Sequence, residues 1–365
     1  MSYSLTIEPL GMTIEVAPGQ NMLDAALRHG VWLPHACGHG LCGTCKVDVL
    51  GGEVEHNDAS PFALMDVERD EGKTLACCAT LSADTVIEAE IDEEPDARVI
   101  PVRDFNGRVE RIVDVTPTIR AVHVALDSPI DFQAGQYVNL DIPGVGSRPF
   151  SIATAPGTNA EHGNGNGNGA GAGTTHIELD VRRVSGGAGT AYVHQTLREG
   201  DPVRLAGPYG RFFVRKSHEA PLLFMAGGSG LSSPRSMILD LLAEGCARPI
   251  TLVYGQRTLD ELYYHDELSS LAAMHPNFRY VPALSAEPDG SAWRGARGFV
   301  HEAAKELFGG DFRGQRAYLC GPPPMIEACV ATLMQGRLFE RDIFTERFLS
   351  AADGQQARSP LFKRI

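Results

Sequence analysis

One stretch limits the folds open to this chain more than any other. Cys37-Gly-His-Gly-Leu-Cys42-Gly-Thr-Cys45 is a C-x4-C-x2-C run, and a fourth cysteine follows about thirty residues later in Leu75-Ala76-Cys77-Cys78. This is the plant-type spacing for a [2Fe-2S] cluster, in which three thiolates come from one tight loop and the fourth from elsewhere. Gly38, Gly40 and Gly43 let the backbone wrap such a cluster and bring N–H groups toward its sulfurs. Zinc also accepts four cysteines, but structural zinc sites favour paired C-x2-C knuckles and one such pair is present. Cys37-Gly38-His39 mimics half of a Rieske site, yet no His stands two or three residues after Cys77 or Cys78. Adjacent Cys77 and Cys78 compete for one ligand role, and Cys77, directly after Leu-Ala, is the choice. The expected metal ligands are therefore Cys37, Cys42, Cys45 and Cys77, whereas Cys246 and Cys329 lie on helical patterns and read as packed thiols.

The length of 365 residues accommodates two or three domains. No segment approaches the roughly 20 apolar residues of a membrane span, so no membrane partner is expected. The N-terminus has neither the basic nor the apolar region of a secretory signal, which places the thiols in a reducing cytoplasm. A net charge of −14 argues against nucleic acid. Its distribution is uneven: residues 1–98 hold 5 Lys/Arg against 18 Asp/Glu, so nearly all the acidity belongs to the first domain, where it can steer a basic protein partner.

Three textures follow one another along the chain. Residues 5–8 and 12–16 alternate like the strands of a hairpin, residues 21–29 form an amphipathic helix, and residues 46–50 and 85–90 read as further strands. The acidic stretch 92–96 reads as a linker. From about Val102 the pattern is all-β, with strands over 107–115, 119–126, 137–142, 177–184 and 202–205, for which a small antiparallel barrel is the natural closure. The Gly/Asn-rich segment 161–175 inside it reads as a mobile loop without chemistry. From Leu222 onward, strands over 222–226, 250–254, 280–282 and 317–319 alternate with helices over 234–242, 259–271, 299–307 and 324–335, the signature of a parallel α/β sheet.

Each later domain carries a candidate ligand motif. Arg148-Pro149-Phe150-Ser151 offers a cation for a pyrophosphate, an aromatic to lie beside a ring and a hydroxyl to hydrogen-bond. Gly186-Gly187-Ala188-Gly189-Thr190 is suited to open a helix whose N-terminus, through Gly187 and Thr190, binds the same pyrophosphate. After the strand at 222–226, Gly227, Gly228 and Gly230 precede a helix and let a dinucleotide phosphate approach the backbone. Cys320-Gly321-Pro322-Pro323-Pro324-Met325 adds a second loop at the same sheet edge.

These motifs together resemble the ferredoxin–NADP reductase superfamily over essentially the whole chain. Trp32-Leu-Pro-His-Ala-Cys-Gly-His-Gly, Ser60-Pro-Phe-Ala-Leu-Met and Met334-Gln-Gly-Arg-Leu-Phe-Glu-Arg-Asp-Ile-Phe are, more narrowly, similar to the reductase components of multicomponent phenol hydroxylases. The resemblance implies a β-grasp ferredoxin domain (1–98), an all-β FAD-binding barrel (102–214), an α/β parallel-sheet nicotinamide-binding domain (215–350) and a C-terminal tail (351–365). It further implies FAD, one [2Fe-2S] cluster and NAD(P)H oxidation, with electrons delivered to a separate diiron hydroxylase component docked through the acidic domain. Carried over residue by residue, it assigns Arg148 to the pyrophosphate, Phe150 to the isoalloxazine, Ser151 to flavin N5 and Cys320 to the nicotinamide. It also assigns the Glu-x-aromatic near the C-terminus to Glu346 and Phe348, with Ser151, Cys320 and Glu346 as the catalytic set. The segment 254–261 sets one cation, Arg257, beside Asp260 and Glu261, which favours NADH while leaving NADPH possible. Reductases of ring-hydroxylating dioxygenases or methane-type monooxygenases share every cofactor motif, and a redox-sensing regulator would use the same cofactors without turnover.

Overall fold

The computed structural model describes residues 2–36, 38–91, 94–157 and 173–348. Cys37, the tail, most of the Gly/Asn segment and part of the acidic stretch thus lie outside the described residues. The chain divides after Arg103 into two compact units.

The first unit contains β1 (Tyr3–Glu8), β2 (Met12–Val16), α1 (Met22–Arg28), β3 (Lys46–Gly51), β4 (Val54–Glu55), α2 (Asp66–Asp70), β5 (Lys73–Leu75), β6 (Thr80–Leu81) and β7 (Thr85–Glu88). Five of its strands form a sheet in the order β2-β1-β7-β3-β5, and β4 pairs with β6. The β1–β2 hairpin forms as expected, and β7 joins β1 in parallel. Helix α1 starts where Asn21 caps it, its Oδ1 accepting the Asp24 N–H at 2.8 Å. The apolar face of α1, Met22, Leu23, Ala25, Ala26 and Leu27, is buried.

The second unit opens with a barrel: β8 (Arg103–Asp114), β9 (Ile119–Ile130), β10 (Tyr137–Ile142), β11 (Gly146–Ser151), β12 (Thr174–Arg182), α3 (Ala188–Gln195) and β13 (Pro202–Tyr209). The strand order is β11-β10-β13-β8-β9-β12, and an antiparallel bridge between Ile152 and Leu179 brings the two edges together. Strand β11 is absent from the pattern reading because Gly146 and Pro149 mask it. It lies at a sheet edge, where a proline's missing N–H is tolerated. The interior is filled by side chains such as Val124, Phe132, Leu140 and Leu179.

The α/β part comprises β14 (Leu222–Gly227), α4 (Ser232–Ala243), β15 (Ile250–Gln256), α5 (His265–Met274), β16 (Phe278–Leu284), β17 (Ala296–Arg297), α6 (Val300–Leu307), β18 (Arg316–Gly321), α7 (Pro323–Gln335) and β19 (Ile343–Arg347). The six strands run in the order β17-β16-β15-β14-β18-β19, and every pairing is parallel. β14 is buried at all six positions, as a strand covered on both faces must be.

The helix expected over 259–271 is corrected. Leu259–Glu261 forms a single 3-10 turn, Tyr264 adopts a left-handed φ of 54°, and the helix proper is α5. Tertiary contacts oppose a continuous helix there: the Tyr264 hydroxyl donates to Glu178, and its ring lies 4.1 Å beneath the Arg235 guanidinium.

Candidate functional site

In the first unit, the cysteine loop is drawn against the chain around Cys77. Helix α1 clamps that chain through Leu23 N–H to Ala76 O (2.9 Å) and Met22 N–H to Ala79 O (3.0 Å). The Ala76 N–H in turn donates to Cys45 O at 2.9 Å. Gly40 has a left-handed φ of 71°, and a Cβ there would stand 2.6 Å from Cys78 Sγ and 3.1 Å from Asp58 O. Its N–H donates to Cys77 Sγ at 3.3 Å. Cys45 and Cys77 are buried, whereas Cys42 and Cys78 are half-buried.

Hydrogen bonds from Cys45, then Cys78, together with the Gly40 N–H, pull the Cys77 thiol down to about 3, and its bond to Cys77 followed by burial pushes Cys45 up. Among the described residues no three such side chains complete a metal cage, and Cys37 lies outside them. A readily ionised thiol, an N–H aimed at sulfur and a turn that excludes any Cβ are nevertheless what an iron–sulfur cluster requires, so the residues fit the group.

In the second unit, β11 carries Arg148, Phe150 and Ser151 with successive side chains on opposite faces. Gly187 is the N-cap of α3, and a Cβ on Gly189 would meet Arg148 Cγ at 3.0 Å, so the helix N-terminus sits against the Arg148 stem. A guanidinium beside free helix N–H groups fits an anionic pyrophosphate. Thr190 stands in the turn that opens this helix. Its Oγ1 accepts the Val184 N–H (3.1 Å) and donates to Gly187 O (3.1 Å), shaping the turn itself.

The three residues expected to act together do converge. Parallel pairing of β18 with β19 sets Cys320 opposite Glu346, and β14 sets Ala226 opposite Cys320. Glu346 Oε2 accepts from Ser151 Oγ at 3.4 Å and from Cys320 Sγ at 3.6 Å. Its shortest partner is Ser233 Oγ at 2.6 Å, a residue the sequence reading missed. Ser233 is in the first turn of α4, immediately after the glycine loop, and a polar residue at that place was the available signal. Burial raises the Glu346 carboxyl to about 7, against the opposing pull of the Ser233, Cys320 and Ser151 donors. Burial and the neighbouring Glu346 push the Cys320 thiol well up, so it acts as an S–H donor.

The glycine loop and the 320–325 loop leave no space between them. A Cβ on Gly230 would stand 2.4 Å from Cys320 O, and one on Gly227 would stand 2.3 Å from Met325 Sδ. The left-handed Gly228 has Arg182 Nη1 2.7 Å from where its Cβ would be. These glycines are buried where no side chain would fit, and the half-buried Arg182 beside Gly228 offers a cation at the turn that opens α4, so the loop suits a dinucleotide phosphate. Gly321 O accepts the Phe348 N–H at 3.1 Å, which fixes the aromatic just beyond β19. At the end of β15, Arg257 is exposed, and Glu287 Oε2 accepts the Leu259 N–H at 2.7 Å. Carboxylates outnumber cations there, a surrounding better matched to a ribose diol than to a phosphate.

A buried polar brace, not anticipated from sequence, joins the barrel to the α/β part. Arg235 donates to both Glu267 oxygens at 3.0 Å and to Ala153 O at 3.0 Å, and its Nη1 lies 3.6 Å from Glu178. Ser236 Oγ donates to Thr154 O at 2.6 Å, and Ser232 Oγ lies 3.0 Å from Asp180. Burial, and then Glu178, raise the Asp180 carboxyl well above its ordinary range.

Such a chain, with a cysteine cradle in one unit and anion-binding turns around a buried Ser–Cys–Glu cluster in the other, has the make-up of a flavin- and iron–sulfur-dependent oxidoreductase. Family models agree. A 2Fe-2S iron-sulfur cluster binding domain matches residues 5–82, an oxidoreductase FAD-binding domain residues 106–214 and an oxidoreductase NAD-binding domain residues 224–331. The chain is 58% identical to the phenol 2-monooxygenase reductase component DmpP of Pseudomonas sp. (strain CF600), covering all of both chains. It is 54% identical, again over both full lengths, to the phenol hydroxylase P5 protein of Acinetobacter pittii (strain PHEA-2). Among solved structures, the Amycolatopsis cytochrome P450 reductase GcoB superposes with a TM-score of 0.82 at 35% identity, over 95% of this chain and 98% of that one. The chain belongs to the family of phenol 2-monooxygenase reductase components, and its cofactors are FAD, a [2Fe-2S] cluster and NADH. Among the described residues no helix is long and apolar enough to cross a membrane.

Proposed function

We propose that this reductase supplies the diiron hydroxylase component of a phenol 2-monooxygenase, in the cytoplasm, and that it does so through its acidic first domain. Similarity over the full length to a phenol 2-monooxygenase reductase component and a phenol hydroxylase P5 protein supports the substrate system, and the concentration of negative charge in residues 1–98 supports the docking side. The domain limits 1–98, 102–214 and 215–350, with the tail 351–365, are part of this proposal.

FAD bound here would supply the conversion between the electron pair of NADH and the single electrons that a [2Fe-2S] cluster can carry. The chain's own residues orient and protect these groups. Arg148 and the α3 N-terminus at Gly187 would hold the flavin pyrophosphate, with Phe150 against the ring and Ser151 presenting its hydroxyl. Gly227, Gly228, Gly230 and Gly321 would admit the dinucleotide, with Phe348 beside them, and Cys320 would present its S–H toward the nicotinamide. Glu346, joined to Ser151, Cys320 and Ser233, holds a proton below about pH 7 and fixes those three donors in one geometry. Cys37, Cys42, Cys45 and Cys77 would ligate the cluster. Thr190 contributes by shaping the pyrophosphate turn.

The observation that carries this reading is the meeting of Ser151, Cys320 and Glu346 from three separate strands. The test is NADH-driven hydroxylation of phenol by the purified reductase together with a phenol 2-monooxygenase oxygenase component. Product formation that depends on both proteins supports the reading; NADH oxidation without product in the presence of the oxygenase contradicts it.

A further inference from the structure

Among the described residues, the most exposed large apolar side chain of the ferredoxin unit is Phe62, with 97% of its surface open. It stands outside because its neighbours are anchored inside. Ala63 and Leu64 are buried, and both their N–H groups donate to Ser60 O at 2.9 Å. The same turn is tied to the cysteine loop by the Ser60 N–H on Gly40 O at 3.1 Å. Leu41, on the cysteine loop beside Cys42, is 42% exposed, and Met65, at the end of the turn, is 52% exposed.

Single exposed apolar residues are ordinary on protein surfaces. Here, however, a phenyl ring is held in water by a fixed turn, beside the loop from which electrons must leave, on a unit whose residues 1–98 hold 13 more acids than bases. Aromatic anchors that fill a pocket, surrounded by a charged rim, are the usual energetic centres of protein interfaces. The charge selects the occupant. A second copy would bring two strongly acidic units together, and nucleic acid or anionic lipid would be repelled in the same way.

We propose that Phe62, flanked by Leu41 and Met65, is the anchor by which the ferredoxin unit docks on the oxygenase component, entering an apolar recess rimmed by Lys and Arg. This rests on the reading that the acidic unit meets the oxygenase, and it names the side chains that do so. Charge governs the rate of encounter and its salt dependence, while the ring governs how long the complex lasts.

The test compares wild type with Phe62→Ser and Phe62→Leu in NADH-driven phenol hydroxylation. The partner is the purified oxygenase component of the Pseudomonas sp. (strain CF600) phenol 2-monooxygenase, titrated at fixed reductase. The serine variant should need about ten- to a hundredfold more oxygenase for half-maximal rate, and the leucine variant only a few-fold more. Anaerobic bleaching of the cluster by NADH, followed by stopped flow, should be unchanged in both, which also shows that both are folded and loaded. A wild type that leaves the oxygenase idle overturns the functional reading and this inference with it. A working wild type matched by the serine variant overturns this inference alone. Slowed internal bleaching in the serine variant also overturns it, because the ring would then serve the chain's own flavin unit.

Discussion

Replacing Glu346 by Gln should change how stability depends on pH more than it changes stability at any one pH. The wild-type carboxyl is raised from its ordinary 4.5 to about 7 by burial, so between those values the folded chain keeps a proton that the unfolded chain has released. Stability from this group is therefore full below about pH 4.5, falls as pH rises, and levels off above about pH 7. A displacement of about 2.5 units corresponds to roughly 3 kcal/mol. The amide in Glu346→Gln is uncharged throughout and, after rotation, can still face the Ser233 and Ser151 hydroxyls. Urea unfolding of both proteins at about pH 5 and about pH 8 isolates the effect. Since a little of the loss has already occurred at about pH 5, the difference between variant and wild type should shift by roughly 2.5 kcal/mol in the variant's favour across that interval. Curves that run parallel would show that Glu346 ionises at an ordinary pH and would refute the argument from burial.

Three further substitutions test other parts of the structure. Cys42→Ala should abolish cytochrome c reduction while sparing ferricyanide reduction by the flavin; loss of both in a folded, FAD-loaded protein would contradict the order of electron flow. Arg235→Met strands Glu178 and Glu267 in the buried brace and should cost about 3–5 kcal/mol in thermal or urea unfolding, with Lys a poor substitute because the contact to Glu267 is two-pronged. Gly230→Ala drives a Cβ into Cys320 O at 2.4 Å; displacing that loop should lower kcat/KM for NADH with ferricyanide about tenfold or more, and leave the cluster spectrum intact.

The parts legible in the sequence are those set by local chemistry. The cysteine spacing, the β1–β2 hairpin, the amphipathic helix that follows it and the glycine loop ahead of α4 each state their structure within a few residues. The interruption before α5 was not legible, since Tyr264 takes its left-handed backbone while its hydroxyl and ring engage Glu178 and Arg235 far along the chain. Strand β19 escaped for a related reason: five residues of mixed polarity become a strand because β18 offers them a free edge. The resemblance was enough to nominate Glu346, but Ser233, its nearest donor, has no pattern of its own. The brace is equally silent, because Asp180 and Ser232, 52 residues apart, are joined only by the packing of the α/β part against the barrel.

The central claim is that one polypeptide takes electrons from NADH into FAD and out through a [2Fe-2S] centre. An anaerobic titration of the purified protein with NADH, followed by visible absorption, tests it most directly. Flavin absorption near about 450 nm and the broad cluster shoulder should both bleach as NADH is added. Flavin bleaching with a cluster that stays oxidised, or a loaded protein that leaves NADH untouched, would contradict the account.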